Sequence, residues 1–92
     1  MDQRNGVWVF NGVNSRFPSA IFNSKEDAEI WIRKYSLSGV LTLYPLNQSV
    51  YEWAIANNQF TPKSDKESAP EFIQKFSSAS QEHFHYEDGK IA

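Results

Sequence analysis

Residues 23–39 constrain the fold most strongly, because they carry the signals of a complete amphipathic helix. Ser24 with Asp27 three residues later is an acidic variant of the capping box, and the same spacing occurs one residue earlier, which leaves the start open by one position. Gly39 is expected to take the left-handed position that follows a helix. One face, as wide as the stripe of a helix lying on a core, contains Ala28, Trp31, Ile32 and Tyr35. The sequence therefore predicts a helix packed on a sheet through this stripe.

The composition sets the size of the core and excludes several kinds of site. The chain has 92 residues, and 7 Phe, 4 Tyr and 3 Trp supply large side chains to the core of one domain. Without cysteine, a disulfide, a thiolate nucleophile and a Cys-ligated metal are excluded. A net charge of −2 argues against a nucleic-acid partner, which would require a basic surface. With neither a visible signal peptide nor a bilayer-length apolar run, we expect a cytoplasmic protein with no membrane partner.

Three runs of β-branched and aromatic residues flank the helix and predict strands over residues 7–10, 17–22 and 40–44. Pro18 lacks an amide hydrogen, which places its strand at a sheet edge or makes Pro18 the first paired residue. A right-handed crossover through the helix places the third strand beside the first and parallel to the second. The expected strand order is therefore 2-1-3.

Two later segments are candidates to cover the second face of this sheet. Both faces of the first strand are apolar, and one helix can cover only one of them. A helix over residues 49–58 begins with a capping box of Ser49 and Glu52. A further helix begins with a box of Ser68 and Glu71.

We therefore predict a single α+β domain over residues 1–92, a small sandwich of ββαβααβ order. Its sheet is expected to be mixed, with strand order 2-1-3 and the helices packed on it. The last strand is expected over residues 82–87, followed by a turn at Asp88 and Gly89. Three segments are expected outside these elements: a charged linker at residues 63–67 and loose termini at residues 1–6 and 89–92.

One polar cluster near the end of the chain is the only candidate for chemistry. In an extended strand His83, His85 and Glu87 share one face, and Glu82 adds a neighbouring carboxylate. Two imidazoles two residues apart can reach one metal ion, but a site needs further ligands and the chain has only two histidines. We therefore expect a polar strand face, with no metal, no cofactor and no catalytic residue. A metal-dependent or acid/base enzyme built on these four residues is the alternative hypothesis.

The predicted second helix is more apolar than a surface helix requires. Val50 and Trp53 are expected to pack inward with Ala54. Tyr51 and Ile55 lie to one side, where together with Trp53 they are the candidate contacts to a protein partner or a second copy. We expect partial burial of Tyr51 and fuller burial of Ile55. If both lie in the core, the helix is simply buried nearly all round.

Six segments resemble a family of small bacterial proteins known only as a domain of unknown function. They are residues 8–12 (WVFNG), 17–19 (FPS), 28–32 (AEIWI), 41–45 (LTLYP), 51–54 (YEWA) and 76–87 (FSSASQEHFHYE). The resemblance spans residues 7–89, and its last segment is the most specific. It implies a stand-alone bacterial domain in the cytoplasm, and it assigns no catalytic residue.

The first functional hypothesis is a non-enzymatic protein-binding module. Its support is the acidic balance, the over-apolar second helix and the lack of catalytic machinery. Small acidic bacterial domains are often immunity or antitoxin proteins, an association by size and charge alone. Binding of single-stranded nucleic acid on an aromatic sheet face ranks last, because the net charge opposes it.

Overall fold

The computed structural model describes residues 6–92 as an α+β fold with a single five-stranded sheet. Within these residues the elements are, in chain order, β1 (Gly6–Gly12), β2 (Ala20–Phe22), α1 (Lys25–Lys34), β3 (Gly39–Pro45), α2 (Val50–Ala56), a 3₁₀ helix (Asp65–Ser68), α3 (Pro70–Ile73), β4 (His83–Glu87) and β5 (Lys90–Ile91). The predicted ββαβααβ order is therefore extended by a final strand.

All neighbouring strands of the sheet pair antiparallel, in the order β2-β1-β3-β4-β5. The predicted order 2-1-3 is one end of this sheet, and β3 runs parallel to β2 with β1 between them, as expected. The prediction of a mixed sheet is wrong, since no adjacent pair among the described strands is parallel. The fold that positions the site is thus an antiparallel sheet with a crossover helix.

Strand β5 is a strand that the sequence analysis missed. Asp88 and Gly89 both have positive φ, 51° and 86°, as a tight two-residue hairpin turn requires. This turn returns the chain along β4, and the backbone nitrogen of Ala92 donates to the carbonyl oxygen of His85 at 2.9 Å. Lys90 and Ile91, within the terminus expected to be loose, are therefore part of the sheet. Of the loose segment expected at 1–6, Gly6 already belongs to β1, and residues 1–5 lie outside the described part.

Helix α1 begins where the capping signal predicts and ends earlier than expected. The backbone nitrogen of Asp27 donates to Oγ of Ser24 at 3.1 Å. The helix stops at Lys34, and Ser36 rather than Gly39 takes the left-handed conformation, with φ of 54°. Gly39 instead lies buried in β3, where an added Cβ would collide with β1. Its lack of a side chain serves strand packing rather than helix termination.

The main core lies between α1 and one face of the sheet. Its buried members are Trp8, Phe10, Ala28, Ile32, Leu41 and Tyr86. Of the predicted helix stripe, Ala28 and Ile32 are fully buried, and Trp31 is half-buried with its ring edge-on to Phe10, centroids 5.4 Å apart. Tyr35 is 57% exposed, so the prediction that Tyr35 is buried with the rest of the stripe was wrong. The reason is that α1 ends one residue before it, and the turn at Ser36 leads the chain away.

Residues 49–76 form a second, smaller packing unit, called the aromatic lobe below. The capping box predicted at its start is confirmed: Ser49 and Glu52 exchange backbone-to-side-chain hydrogen bonds of 3.0 and 3.3 Å. Its interior is a cluster of four rings with centroids 4.9 to 6.4 Å apart, formed by Tyr51, Phe60, Phe72 and Phe76. The Tyr51 hydroxyl donates to the carbonyl oxygen of Glu67 at 2.8 Å. The lobe therefore packs mainly on itself.

Two predictions for this lobe are corrected. Residues 63–67 are not a plain linker, because most of them enter the 3₁₀ helix, and the backbone nitrogen of Lys63 donates to Glu67 Oε1 at 2.8 Å. The Ser68–Glu71 capping box does not form, since Ser68 ends that 3₁₀ helix and Ala69 caps α3 instead. Helix α3 is accordingly only four residues long.

The molecule is elongated, because the aromatic lobe does not form a third layer on the sheet. The Cα radius of gyration is 14.7 Å, against about 12 Å for a compact chain of this length. The shortest dimension is 20 Å, the thickness of one sheet and one helix layer, and another helix layer would add about 10 Å. Helix α2 approaches the sheet at β3, while α3 packs on the 3₁₀ helix. Contact of these helices with the sheet is therefore mainly that of α2 with β3, which is less than the expected covering of the second face.

Candidate protein-binding face

The sheet surface opposite α1, called the open face below, is the most distinctive surface of the described residues. Side chains alternate along each strand, so the register assigns its members directly. They are Val7, Val9 and Asn11 on β1, Ile21 on β2, Val40, Thr42 and Tyr44 on β3, His83, His85 and Glu87 on β4, and Lys90 on β5. None of them is fully buried, whereas the other face buries Trp8, Phe10 and Leu41.

Two rows of side chains cross the open face. In the first row Val9 pairs with Ile21 on one side and Thr42 on the other, and Thr42 pairs with His83. Ile21 at the end of this row is 65% exposed. The second row crosses β1, β3 and β4 and contains Asn11, Val40 and His85. The face therefore grades from aliphatic side chains at β2 and β1 to imidazoles at β4.

The open face carries almost no formal charge. The chain as a whole has 11 acidic and 9 basic side chains, but the described strands place only Glu87 and Lys90 on this surface. These two residues lie opposite one another in the β4–β5 pair, where unlike charges attract. A partner of this face would meet chiefly aliphatic, hydroxyl and imidazole groups.

Strand β4 divides the predicted polar cluster between the two faces. His83, His85 and Glu87 share the open face, as the alternation predicted, and the two imidazole centroids lie 5.4 Å apart. Glu82 falls on the other side, beside a cavity that Trp8 also lines. Nδ1 of His83 is 2.7 Å from the carbonyl oxygen of Gln81, so this nitrogen carries the proton and donates. Only Nε2 of His83 is then available as an acceptor or ligand.

A metal centre finds little support in this arrangement. Across residues 6–92, no group of three or more His, Asp or Glu side chains is placed to hold a metal ion. The two imidazoles supply two ligands at most, and a tetrahedral site requires four. His83 and His85 therefore offer at most two metal ligands within the described residues.

The three residues predicted as partner contacts on α2 have different surroundings. The Tyr51 ring is half-buried in the aromatic lobe, and its hydroxyl is committed to Glu67. Trp53 is half-buried and lines a cleft between α2 and β3 together with Tyr44. Ile55 is 37% exposed, so the expectation of fuller burial for Ile55 was wrong. The ring cluster packs against the side of α2 that contains Tyr51, and Ile55 is left partly exposed to solvent.

The opposite face of the sheet contains the one strongly perturbed ionisable group among the described residues. The Tyr86 hydroxyl donates to Glu29 Oε2 at 2.5 Å, and Lys25 Nζ lies 3.8 Å from the same carboxylate. Burial first, and then the hydrogen bond to Glu29 and its negative charge, hold the pKa of Tyr86 well above its usual range. This group ties α1 to β4 on the core side. It has no access to the open face.

Comparison with known proteins identifies the family. A family model described as a domain of unknown function (DUF7710) matches residues 7–92. The chain belongs to this family. Neither the curated proteins nor the solved structures gave a match. The expected membership of an uncharacterised domain family is thereby confirmed, and it assigns no site, so the site rests on the geometry of the fold.

Sequence reasoning named only the β4 end of this family member's open face. It missed Val9, Ile21, Thr42 and Tyr44 as candidate contacts. The signal was present, because strand β1 alternates Val7 and Val9 with larger aromatic residues, and that pattern predicts two apolar faces. The missing information was that α2 and α3 would pack elsewhere. No helix of the described part is long and apolar enough to cross a membrane.

Proposed function

We propose that this chain is a non-enzymatic protein-binding module of the bacterial cytoplasm and that its open face is the contact surface. The single observation that carries the proposal is an apolar sheet face that the described helices leave largely uncovered: α2 contacts the sheet at β3, and Ile21 on β2 is 65% exposed. Exposed apolar patches of this kind mark interaction sites in soluble proteins.

The residue types on this face support binding rather than solvation. An antiparallel sheet with one face in water normally alternates apolar and polar side chains. Here three of the six outward positions of β1 and β3 are valines, Val7, Val9 and Val40, and the other three are Asn11, Thr42 and Tyr44. The valine side chains are costly to hydrate and pack well against another protein surface. Covering them is therefore favourable in any complex that uses this face.

An immunity- or antitoxin-like inhibitor is one form that such a binding function can take. An inhibitor of this kind acts by occupying a partner's surface, so it requires shape and apolar contact but no reactive group. The small size and the net charge of −2 are consistent with such proteins. The charge lies outside the strands of the open face, where it can keep the free protein soluble.

Site-specific photo-crosslinking in bacterial cells tests the proposal. A photoreactive amino acid replaces Ile21, which is 65% exposed on the open face, or Ile30, which is 52% exposed on α1. At both positions the photoreactive residue replaces an isoleucine that is mostly exposed to water. The two variants are therefore matched in the residue removed and in its exposure. We expect a discrete covalent product from position 21 and none from position 30.

The mass of the product identifies the partner. A product of about twice 10.6 kDa contains a second copy, and any other mass contains a different protein, which mass spectrometry of its peptides identifies. The proposal is contradicted if position 21 gives no product, or if both positions give the same products. In either case the open face is no more a contact surface than the exposed side of α1.

A further inference from the structure

We propose that the open face binds a second copy of this chain, so that two sheets pack face to face as a symmetric dimer. This inference rests on the proposed function, because it names the partner of the same surface. It is carried by three properties of the face: its charge, its area and its shape.

The charge of the face permits self-association. In a two-fold symmetric interface the same surface occurs on both sides, so every like charge is brought near its copy. The strands place only Glu87 and Lys90 on this surface, and these oppose each other across β4 and β5 within one copy. A partner selected by charge would require an acidic or basic excess here. The face is therefore better matched to itself than to a strongly charged protein.

The area of the face fits a small interface. The five strands contain 7, 3, 7, 5 and 2 residues. At about 3.4 Å per residue and about 4.8 Å between strands, they cover roughly 400 Å² per copy as a flat surface. Side chains that project from the sheet increase this accessible area. The flat faces of two copies together cover roughly 800 Å², which is below the roughly 1,200 Å² of stable specific interfaces and in the range of weak, transient ones. We therefore expect a weak dimer whose population depends on concentration.

The shape of the face suits the packing of two sheets. Stacked sheets lie about 10 Å apart and interdigitate the side chains of their inner faces. The row formed by Ile21, Val9 and Thr42 presents β-branched side chains across three strands. The face has no helix or loop packed across it at Ile21, where exposure is 65%. At this end of the row a second sheet can approach without displacing any of the described helices.

Sedimentation equilibrium of the purified chain tests this inference. Between about 10 μM and 1 mM, where weak complexes form, we expect the mass to rise from 10.6 kDa toward twice that value. Ile21→Glu and His83→Glu place like charges on the two ends of the row, and each should weaken association at least about tenfold. Both side chains are exposed, so circular dichroism should show an unchanged fold. The matched control Ile30→Glu on α1 should associate like the unchanged chain.

The results separate this inference from the proposed function. A chain that is monomeric over the whole range overturns the dimer, and so does an Ile30→Glu variant that dissociates as readily as Ile21→Glu. A monomeric chain that still crosslinks to a different protein from position 21 keeps the binding function and refutes only the second copy. If the chain stays monomeric and position 21 also gives no covalent product, both proposals are refuted.

Discussion

The two faces of the single sheet differ in what covers them, although the same strands build both. On the α1 side, Trp8, Phe10 and Leu41 are at most 6% exposed. On the open side, Val9 and Thr42 from the same strands are half-buried, and Ile21 is 65% exposed. The difference shows that apolar residues on a strand face predict that something will pack against this face, but they do not predict which element or protein that will be. Here α1 supplies the cover on one side, and we propose that another protein chain supplies it on the other.

The aromatic lobe explains why the second face stays open. Its four rings pack against one another, and the Tyr51 hydroxyl is satisfied by Glu67. An aromatic cluster buries large areas per side chain, so a few rings suffice to hold a short segment together. The residues expected to cover the sheet therefore pack mainly against one another. As a result the domain has two layers, a helix and a sheet, instead of three.

The largest expected effect contrasts one substitution on the two sides. Ile32→Ala removes a side chain with no exposure from the core between α1 and the sheet, and it should cost about 2–5 kcal/mol of unfolding free energy. Ile21→Ala removes the same atoms from a side chain that is 65% exposed, and its cost should stay below about 1 kcal/mol. Chemical denaturation of dilute, monomeric protein measures both. Equal losses would mean that the open face is part of the folded core.

A second test asks whether the aromatic lobe is stabilised independently of the sheet. Phe76→Ala removes a half-buried ring from the cluster, and we expect a loss of about 2 kcal/mol, below the 3–5 kcal/mol of a fully buried ring. Hydrogen exchange should show faster exchange for amides of Val50–Ala56. Amides of β1 should keep their protection, because the lobe does not cover that strand. Equal loss of protection in both regions would show that the lobe supports the sheet directly.

The third prediction compares two tyrosines on opposite faces. Tyr86→Phe removes a buried hydroxyl that donates to Glu29, which should cost about 1 kcal/mol at neutral pH. Tyr44→Phe alters a side chain that is 37% exposed on the open face, and it should change stability by less than about 0.5 kcal/mol.

The pH dependence sharpens this third comparison. Because folding raises the pKa of Tyr86, its contribution is complete below the ordinary tyrosine pKa of about 10 and declines as the pH rises above it. The stability difference between the unchanged chain and Tyr86→Phe should therefore shrink above about pH 10. A difference that stays constant to higher pH would contradict the burial of this hydroxyl.

The smallest effect is expected from metal ions on the open face. The sequence analysis predicts no metal site at His83 and His85, and a zinc titration of the thermal melting temperature should show no saturable increase. A metal ion that binds the folded protein would, at a concentration of 100 times its Kd, add about 2.7 kcal/mol to the unfolding free energy, which such a measurement detects easily. The variants His83→Ala and His85→Ala are the controls. A saturable increase that both variants abolish would favour the alternative hypothesis of a metal-dependent enzyme.

Local structure was largely determined by the sequence. The caps at Ser24 and Ser49 and the turn at Asp88 and Gly89 formed as predicted. The three strands around α1 also formed, but the second covers only Ala20–Phe22 instead of residues 17–22. Each depends on neighbours within a few residues, such as a side-chain oxygen reaching the first turn or a glycine permitting positive φ. The predictions were wrong where a contact between residues distant in the sequence determined the local structure. Gly39 looked like a helix terminator, but the close approach of β1 and β3 is what requires glycine there.

The candidate site was decided only by the tertiary structure. The sequence placed His83, His85 and Glu87 on one strand face, because alternation is a local property. It also showed that both faces of β1 are apolar. Which face receives a helix depends on how residues distant in the chain pack, and the ring cluster around Tyr51 competes with the sheet for the same helices. The balance of these contacts is a property of the whole fold, so only the structure shows that Ile21, beside Val9 on this face, remains 65% exposed.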